Sequence, residues 1–494
     1  MGMSGKSNSA AKAGPAKSKT KNGRGATGSA ANVKFVTREL SAAEKKTLAE
    51  CEAIIQTCQT DRAEDFQKLA VACFQIQAEK LFEGHRSVAA YFKAKFGFSR
   101  TNTIRLAKMG SVIKREAPTG ASVGLLGSDG HLRPLIYLAD AQQRAVIKKA
   151  QDWAEMAKLV DFPAKLIVAA KTFLYPPARA EEPRDSAQAK LVAKFQAAVD
   201  GAKSALPENA GPGVMAVFED LRKKVKAMGA VRRSTGIAWT DATWNPLHGC
   251  THASRGCDRC YAAKLTATRL ADVYPGLAVE KKSADGKTTT YSFTGIMQLV
   301  PQDLADPLLD QIPKMYFVNS MSDLFHKSVP EQFIADCFTV MEKAHWHRFQ
   351  VLTKRPERMA EFTQKRYANI KPFPNIWLGT STEDQEAFDK RMPHLKKTKA
   401  AVRWLSAEPL LGPIKFGSMA DLDWIVVGGE SGSDRQMQKS WATAIRDECK
   451  KSKVPYFFKQ WGNFNELGKR EREKVHPATL DGVVHDAYPE GWEK

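Results

Sequence analysis

The chain has 494 residues, 43% of them hydrophobic and 9% aromatic, with a formal net charge of +21 and a pI near 9.5. That is enough apolar material for about three domains at roughly 150 residues each, and the charge excess points to a polyanionic partner, nucleic acid before others. No run of eighteen apolar residues occurs and the N-terminus has no apolar leader core, so neither a membrane span nor a secretory signal is expected and the compartment should be cytoplasmic.

Residues 1–32 are mostly Gly, Ser, Ala and Lys, and the stretch through Arg38 carries eight Lys or Arg and no acid. Such a composition cannot bury a core, so a disordered basic arm is expected. Residues 33–175 read as an all-α domain. Ala42–Gln59 and Ala63–Phe82 repeat apolar residues at three- and four-residue spacing. Ser87–Phe96 then reads as a helix, Gly97-Phe98 breaks it, and Ser99 can cap a second helix beginning at Arg100. A helix, a glycine turn and a Ser-capped helix that opens with Arg100, Thr101, Asn102 and Arg105 form a helix-turn-helix pattern, and those four are the candidate nucleic-acid-binding residues, DNA being the expected partner. With His131–Leu135 and two further helices behind it, the region resembles the helical DNA-binding region of plasmid-partition-type proteins. Residues 176–234 are Pro-, Ala- and Lys-rich, with a basic run over 222–226, and read as a helical linker.

From Gly236 the texture changes. Eight short β-type runs (237–240, 293–300, 315–319, 349–353, 376–380, 402–406, 424–428 and 456–459) alternate with helix-length segments such as 330–344, 356–364 and 441–451. That alternation implies a parallel sheet, and its length suits a TIM-like or partial (βα) barrel over 235–465, followed by a tail over 466–494. An open doubly wound sheet is the alternative, although no glycine-rich dinucleotide fingerprint follows the first run. Most runs end in polar groups: Asn319 with Asp323, Lys354, Ser381 with Glu383, Ser406 with Glu408, Gly428-Gly429-Glu430, and Lys459. Barrel enzymes build their sites at that C-terminal rim. Asp323, Lys354, Glu408, Glu430 and Lys459 are therefore candidate catalytic residues, and Glu383, Gly428 and Gly429 candidate cofactor contacts. The tryptophans at 239, 244, 377, 404, 424 and 461 are expected in the barrel core rather than stacked on bases.

Five of the eight cysteines are scattered in helical, apolar contexts; Cys250, Cys257 and Cys260 fall together in the loop after the first run. Three thiolates from one loop can hold three irons of a four-iron, four-sulfur cluster and leave the fourth iron open. Zinc is the competing occupant, with His248, His252 or His326 completing a Cys3His set. Position after the first barrel strand favours the cluster, by analogy of fold. Tyr261 and His326 are placed to contact whatever the cysteines hold.

The ordered motifs Trp239–Pro246, Gly249-Cys250, Gly256–Ala262, Phe317–His326, Leu352–Pro356, Trp377–Gly379, Ser406–Leu410, Gly428–Ser431 and Phe457–Gly462 resemble the phage and prophage three-cysteine protein family, which is similar to radical S-adenosylmethionine barrels. The resemblance implies a barrel and a cluster, with S-adenosylmethionine as cofactor and an electron donor as partner; it implies no substrate. The first gap between cysteines is longer than is usual in radical enzymes. Two functions stay open: an iron–sulfur enzyme modifying nucleic acid or nucleotides, and a zinc-binding, non-redox, DNA-binding phage accessory protein.

Overall fold

A computed structural model describes residues 38–58, 63–116, 126–178, 235–282, 289–432, 434–471 and 478–489. The basic arm expected over 1–32 and nearly all of the linker expected over 176–234 lie outside these residues.

The N-terminal region is helical throughout its described residues: α1 (Ala42–Thr57), α2 (Ala63–Ala78), α3 (Val88–Phe96), α4 (Arg100–Glu116), α5 (Asp129–Leu132), α6 (Asp140–Met156) and α7 (Ala164–Leu174). Local chemistry sets the boundaries. Ser41 and Glu44 cap α1 reciprocally. The Ser87 hydroxyl caps α3, Gly97 ends it at φ 71°, and Ser99 Oγ accepts from Asn102 N (3.1 Å) to start α4. The expected helix–glycine–helix order is present, with α4 running seven residues past Met109.

Seven parallel strands make the second body. The first, β1 (Ala242–Trp244), opens the sheet. Four short strands lie outside it as antiparallel ribbons, β2 (Leu247–His248) with β5 (Gln298–Leu299) and β3 (Ala278–Lys282) with β4 (Thr289–Phe293). Then come β6 (Met315–Val318), β7 (Arg348–Thr353), β8 (Ile376–Ser381), β9 (Val402–Ala407), β10 (Trp424–Gly428) and β11 (Tyr456–Gln460). The order β1-β6-β7-β8-β9-β10-β11 has no reversal, so the doubly wound alternative, which needs a switch point, does not apply. β1 and β11 are the sheet edges, and the architecture is a half-barrel. In the long β1–β6 connection lie α8 (Tyr261–Ala267) and α9 (Asp306–Leu309); α10 (Glu331–Lys343), α11 (Pro356–Arg366), α12 (Gln385–Lys397) and α13 (Lys439–Ser452) follow β6, β7, β8 and β10.

Two of the eight expected strands are corrected. The run 237–240 precedes the first strand instead of forming it. Thr240 Oγ1 donates to Met315 O (2.8 Å) and Asp241 Oδ2 accepts from Met315 N (2.9 Å), so side chains take the neighbouring strand's backbone groups and the ladder begins at Ala242. The run 293–300 is broken at Gly295 (φ 94°) and shared between the two ribbons. The tail expected beyond 465 is, where described, part of the barrel: β12 (Thr479–Leu480) pairs with β13 (Val483–Val484), Trp461 Nε1 donates to Thr479 O (2.9 Å) and Tyr488 stacks on Trp424.

Strand alternation sorts the side chains into two cores. Outward residues such as Val318, Val351, Leu378, Leu405 and Ile425 pack under the helices, in one apolar core continuous with that of α1–α7. Inward residues Met315, Phe317, Trp377, Trp404, Trp424, Val426 and Phe457, joined by Trp239, fill the barrel interior. Gly379 makes that plug possible, since a Cβ there would lie 2.6 Å from the Trp404 ring. Trp244 and Trp461 are core as expected, but in the outer layer.

The helical region is fastened to the barrel through buried Asp336 on α10. Its carboxylate accepts from Lys149 Nζ (2.9 Å) and from Trp153 Nε1 (2.7 Å), both on α6. Lys343 Nζ donates to Phe173 O, and Lys165 reaches Asp303 (2.6 Å). Among the described residues, no helix is long and apolar enough to cross a membrane.

Candidate functional site

Each inward stripe of plug residues ends, one step toward the strand's C-terminus, in a polar group: Phe317 is followed by Asn319, Leu352 by Lys354, Gly379 by Ser381, Trp404 by Ser406 and Phe457 by Lys459. These five line a cavity of about 230 Å³ above the plug, at the C-terminal mouth of the sheet. Cys250, Cys257 and Cys260 line it too, with Arg259, Tyr261, Asp323, Arg355, Glu408, Gly429 and Glu430.

The cysteine loop leaves β2 at Gly249, whose φ of 93° and contact with Ile296 O (2.0 Å from a Cβ built there) exclude any side chain. Four side chains then rivet the loop to the strand ends. Arg355 donates to Thr251 O (3.1 Å), Thr251 Oγ1 (2.8 Å) and Asp323 Oδ2 (2.6 Å), and its Nη1 lies 3.8 Å from Cys250 Sγ. Arg391 bridges Glu383 Oε2 (2.9 Å) and Ser254 Oγ (2.7 Å). Arg435 bridges Glu430 Oε2 (2.7 Å), Asp258 Oδ2 (3.1 Å) and Arg255 O (3.1 Å). His326, fully buried, meets Thr251 Oγ1 with Nε2 (2.9 Å) and accepts from Ser328 N with Nδ1 (3.2 Å). Burial, then the neighbouring Arg355, lowers its pKa and keeps the ring neutral.

These contacts redistribute the expected roles. Asp323 accepts from Thr353 Oγ1 (2.6 Å), Phe325 N (3.0 Å), Lys354 N (3.2 Å) and Arg355, so its oxygens are occupied and it positions Arg355. Glu430 is held by Arg435, and Glu383 lies off the cavity under the loop. Burial opposes ionisation of Glu383, but Arg391, then Ser254 and Lys354, hold its pKa below the ordinary carboxylate value. Gly428 packs against Glu408 beside the cavity, and Gly429 N donates to Gln460 O (2.8 Å). Tyr261 donates to Ser320 O (3.0 Å). Lys354, Glu408 and Lys459 keep capacity facing the cavity: Lys459 Nζ binds Glu408 Oε2 (2.7 Å), while Glu408 Oε1 has no partner among the described residues.

The donor set bears on both candidate occupants, zinc and a cluster. Burial pushes the Cys250 thiol up to about 12 and raises Cys260 as well, although the Ala263 and Ala262 N–H groups face the Cys260 sulfur. Any metal would therefore displace protons on binding. Among the described residues, no three His, Cys, Asp or Glu side chains converge as a single metal ion requires. A cluster asks for less convergence, because each thiolate binds a different iron. Two of the histidines that could complete a zinc site are engaged, His252 on Asp258 (2.8 Å) and His326 as above, and His248 lies off the cavity against Tyr274. Three thiols on a cavity wall beside an open polar mouth fit a cluster.

At the helix-turn-helix segment, Arg100 and Thr101 are exposed at the start of α4. Asn102 and Arg105 are bound to each other (2.7 Å), and Arg105 also pairs with Asp129 (3.3 Å). Sequence reasoning missed the rivets Arg391 and Arg435 and the cavity residue Arg259, and it placed Asn319 and Ser406 on the rim without giving them a role. Asn319 and Ser406 carried a usable signal, since each lies two positions beyond an inward aromatic residue.

No curated protein and no solved structure matches the chain. A family model described as protein of unknown function (DUF5131) matches residues 234–489, just over half of the chain and the whole half-barrel with its C-terminal strands, and the chain belongs to that family.

Proposed function

We propose that the half-barrel is an iron–sulfur enzyme of the radical S-adenosylmethionine type, of phage or prophage kind, acting on nucleic acid or nucleotides. The observation that carries the reading is the placement of Cys250, Cys257 and Cys260 on one loop, riveted over the C-terminal mouth of a parallel half-barrel, with the nearby histidines otherwise engaged. A four-iron cluster on three thiolates supplies an open iron for a sulfonium cofactor and the electron that cleaves it.

The chain's own groups do the rest. Arg355 and Arg435 hold the loop, and Arg355 sets positive charge beside the Cys250 sulfur. The tryptophan plug fills the base of the cavity. Lys459 and Glu408 face the bound ligands as a proton-carrying pair. Arg100 and Thr101 on α4, with the basic arm, bring the enzyme to DNA.

Protein purified without oxygen and assayed for iron, sulfide and zinc tests the cofactor. About four irons per chain with matching sulfide support the reading. Stoichiometric zinc without sulfide overturns it in favour of the zinc-binding accessory protein. Reduced protein given S-adenosylmethionine should then release 5′-deoxyadenosine and methionine.

A further inference from the structure

We propose that the mouth binds a single nucleotide unit, with its phosphate on Lys354 and Arg259 and its base edge on Asn319. This names the substrate class for the activity above and rests on that reading.

The first observation is electrostatic. Every carboxylate lining the cavity has its own cation: Asp323 with Arg355 (2.6 Å), Glu408 with Lys459 (2.7 Å) and Glu430 with Arg435 (2.7 Å). Two lining cations, Lys354 and Arg259, make no salt bridge and no side-chain hydrogen bond among the described residues, and Lys354 acts on the Glu383 carboxylate only across a longer distance. Lys354 lies against the cysteine loop that carries Arg259, for a Cβ on Gly256 in that loop would lie 3.5 Å from Lys354 Cε. Two cations without a salt bridge inside a cavity attract an anion, a carboxylate or a phosphate, and the base-edge contact argued next favours the phosphate of a nucleotide.

The second observation is an unsatisfied amide. Asn319 lines the cavity at 3% exposure, and neither Oδ1 nor Nδ2 has a partner among the described residues. Its φ is 61°, a conformation that asparagine tolerates but does not prefer. Buried amides are nearly always satisfied, so this one calls for a ligand with a donor and an acceptor side by side, as on a nucleobase edge. β6 and β7 are paired neighbours (Val318 with Val351), which sets Asn319 and Lys354 on adjacent strand ends. At about 230 Å³ the cavity is below the roughly 300–1,000 Å³ of drug-sized pockets. That size excludes a stretch of duplex.

Calorimetric titration of the full-length protein, with its iron and sulfide counted, tests the proposal using adenosine 5′-monophosphate, adenosine and ribose 5-phosphate. The monophosphate should bind about tenfold more tightly than either fragment. Lys354→Gln should weaken the monophosphate about tenfold and leave adenosine unchanged. Arg259→Gln, a loop substitution that leaves the strand ends intact, should do the same. Asn319→Ala should weaken monophosphate and adenosine alike and spare ribose 5-phosphate. Monophosphate affinity should persist in saturating S-adenosylmethionine; mutual exclusion would assign the subsite to the cofactor's adenosine and overturn the proposal. So would a monophosphate that binds no better than adenosine, or a Lys354→Gln chain that loses iron but binds the monophosphate normally, because the cation then serves the cluster. Colourless, zinc-loaded protein sinks the iron–sulfur reading alone, since the titrations need no turnover.

Discussion

Asp336 decides whether the helical region and the half-barrel behave as one body. It is 3% exposed and sits on a barrel helix, yet its main partners, Lys149 and Trp153, belong to α6. Asp336→Ala leaves an ammonium in a mostly buried pocket without its counter-ion and an indole N–H without an acceptor. Removing one member of a buried ion pair costs about 3–5 kcal/mol; Lys149 keeps 17% side-chain exposure, which places the expected loss near the low end, about 3 kcal/mol. Of the remaining polar ties, Lys343 to Phe173 O is a part-buried hydrogen bond at the end of α7, of about 1 kcal/mol, and those of Lys165 to Asp303 and Asp306 are exposed and contribute roughly 0–1 kcal/mol each. The loss therefore falls on the interface. Hydrogen exchange should show α6 and α7 amides opening hundredfold more often in the variant, a factor of about 10 per 1.4 kcal/mol, while β6–β10 keep their protection. Asp336→Asn, which retains an acceptor for Trp153, should fall between. Unchanged protection of α6 and α7 in Asp336→Ala would refute the reasoning.

Four other outcomes are expected. Cys257→Ala should abolish iron retention with the far-ultraviolet circular dichroism unchanged; a variant that stays brown and fully loaded removes that cysteine from the ligand set. Arg355→Gln should lower iron retention through the loop it holds, and full iron at normal stability would show that the rivet is dispensable. Burial lowers His347 and His248 to about 4 each, against about 6.5 unfolded. The folded state thus prefers the neutral rings, and their stabilisation is complete above pH 6.5 and lost as pH falls toward 4, at about 3 kcal/mol apiece. Denaturant midpoints across that window should drop in the native chain, and His347→Gln should remove about half of the drop; an unaltered slope would exclude it as the titrating group. DNA affinity should fall with salt at a log–log slope of roughly 0.9 per phosphate neutralised. Arg100→Ala should lower that slope by about one, and a salt-independent affinity would exclude phosphate contacts.

The half-barrel was legible because its strands are short apolar runs separated by helix-length segments, and because six of them end in polar residues. The strands that sequence reasoning misplaced were those where side chains or a glycine override pattern. Thr240 and Asp241 use their side chains on Met315, and Gly295 turns a run that composition alone marks as continuous. In the site, the cysteines and the rim charges were legible as residue types. Their partners were not, because Arg391 and Arg435 reach Glu383 and Glu430 from a helix and a loop whose sequence only marks them as solvated basic positions. That is why three carboxylates that looked alike in sequence, Asp323, Glu408 and Glu430, separate in the structure into two that hold other groups in place and one with an open oxygen.

The same partition explains how one mouth can be both rigid and open. Rigid parts need every polar group satisfied, and the loop-holding set around Arg355, Arg391 and Arg435 meets that condition. A binding surface needs groups whose partners come from outside, and at this mouth those are Lys354, Arg259, Asn319, Ser406 and one oxygen of Glu408. They are not scattered: all line a single cavity above an aromatic plug that closes the opposite end. The rim that carries the cysteines borders that cavity. For a nucleic acid, that geometry demands a base turned out of the stack, the arrangement that enzymes acting on bases use. An unpaired buried amide on the cavity wall does nothing to stabilise the fold, which is what the proposed role in recognition accounts for.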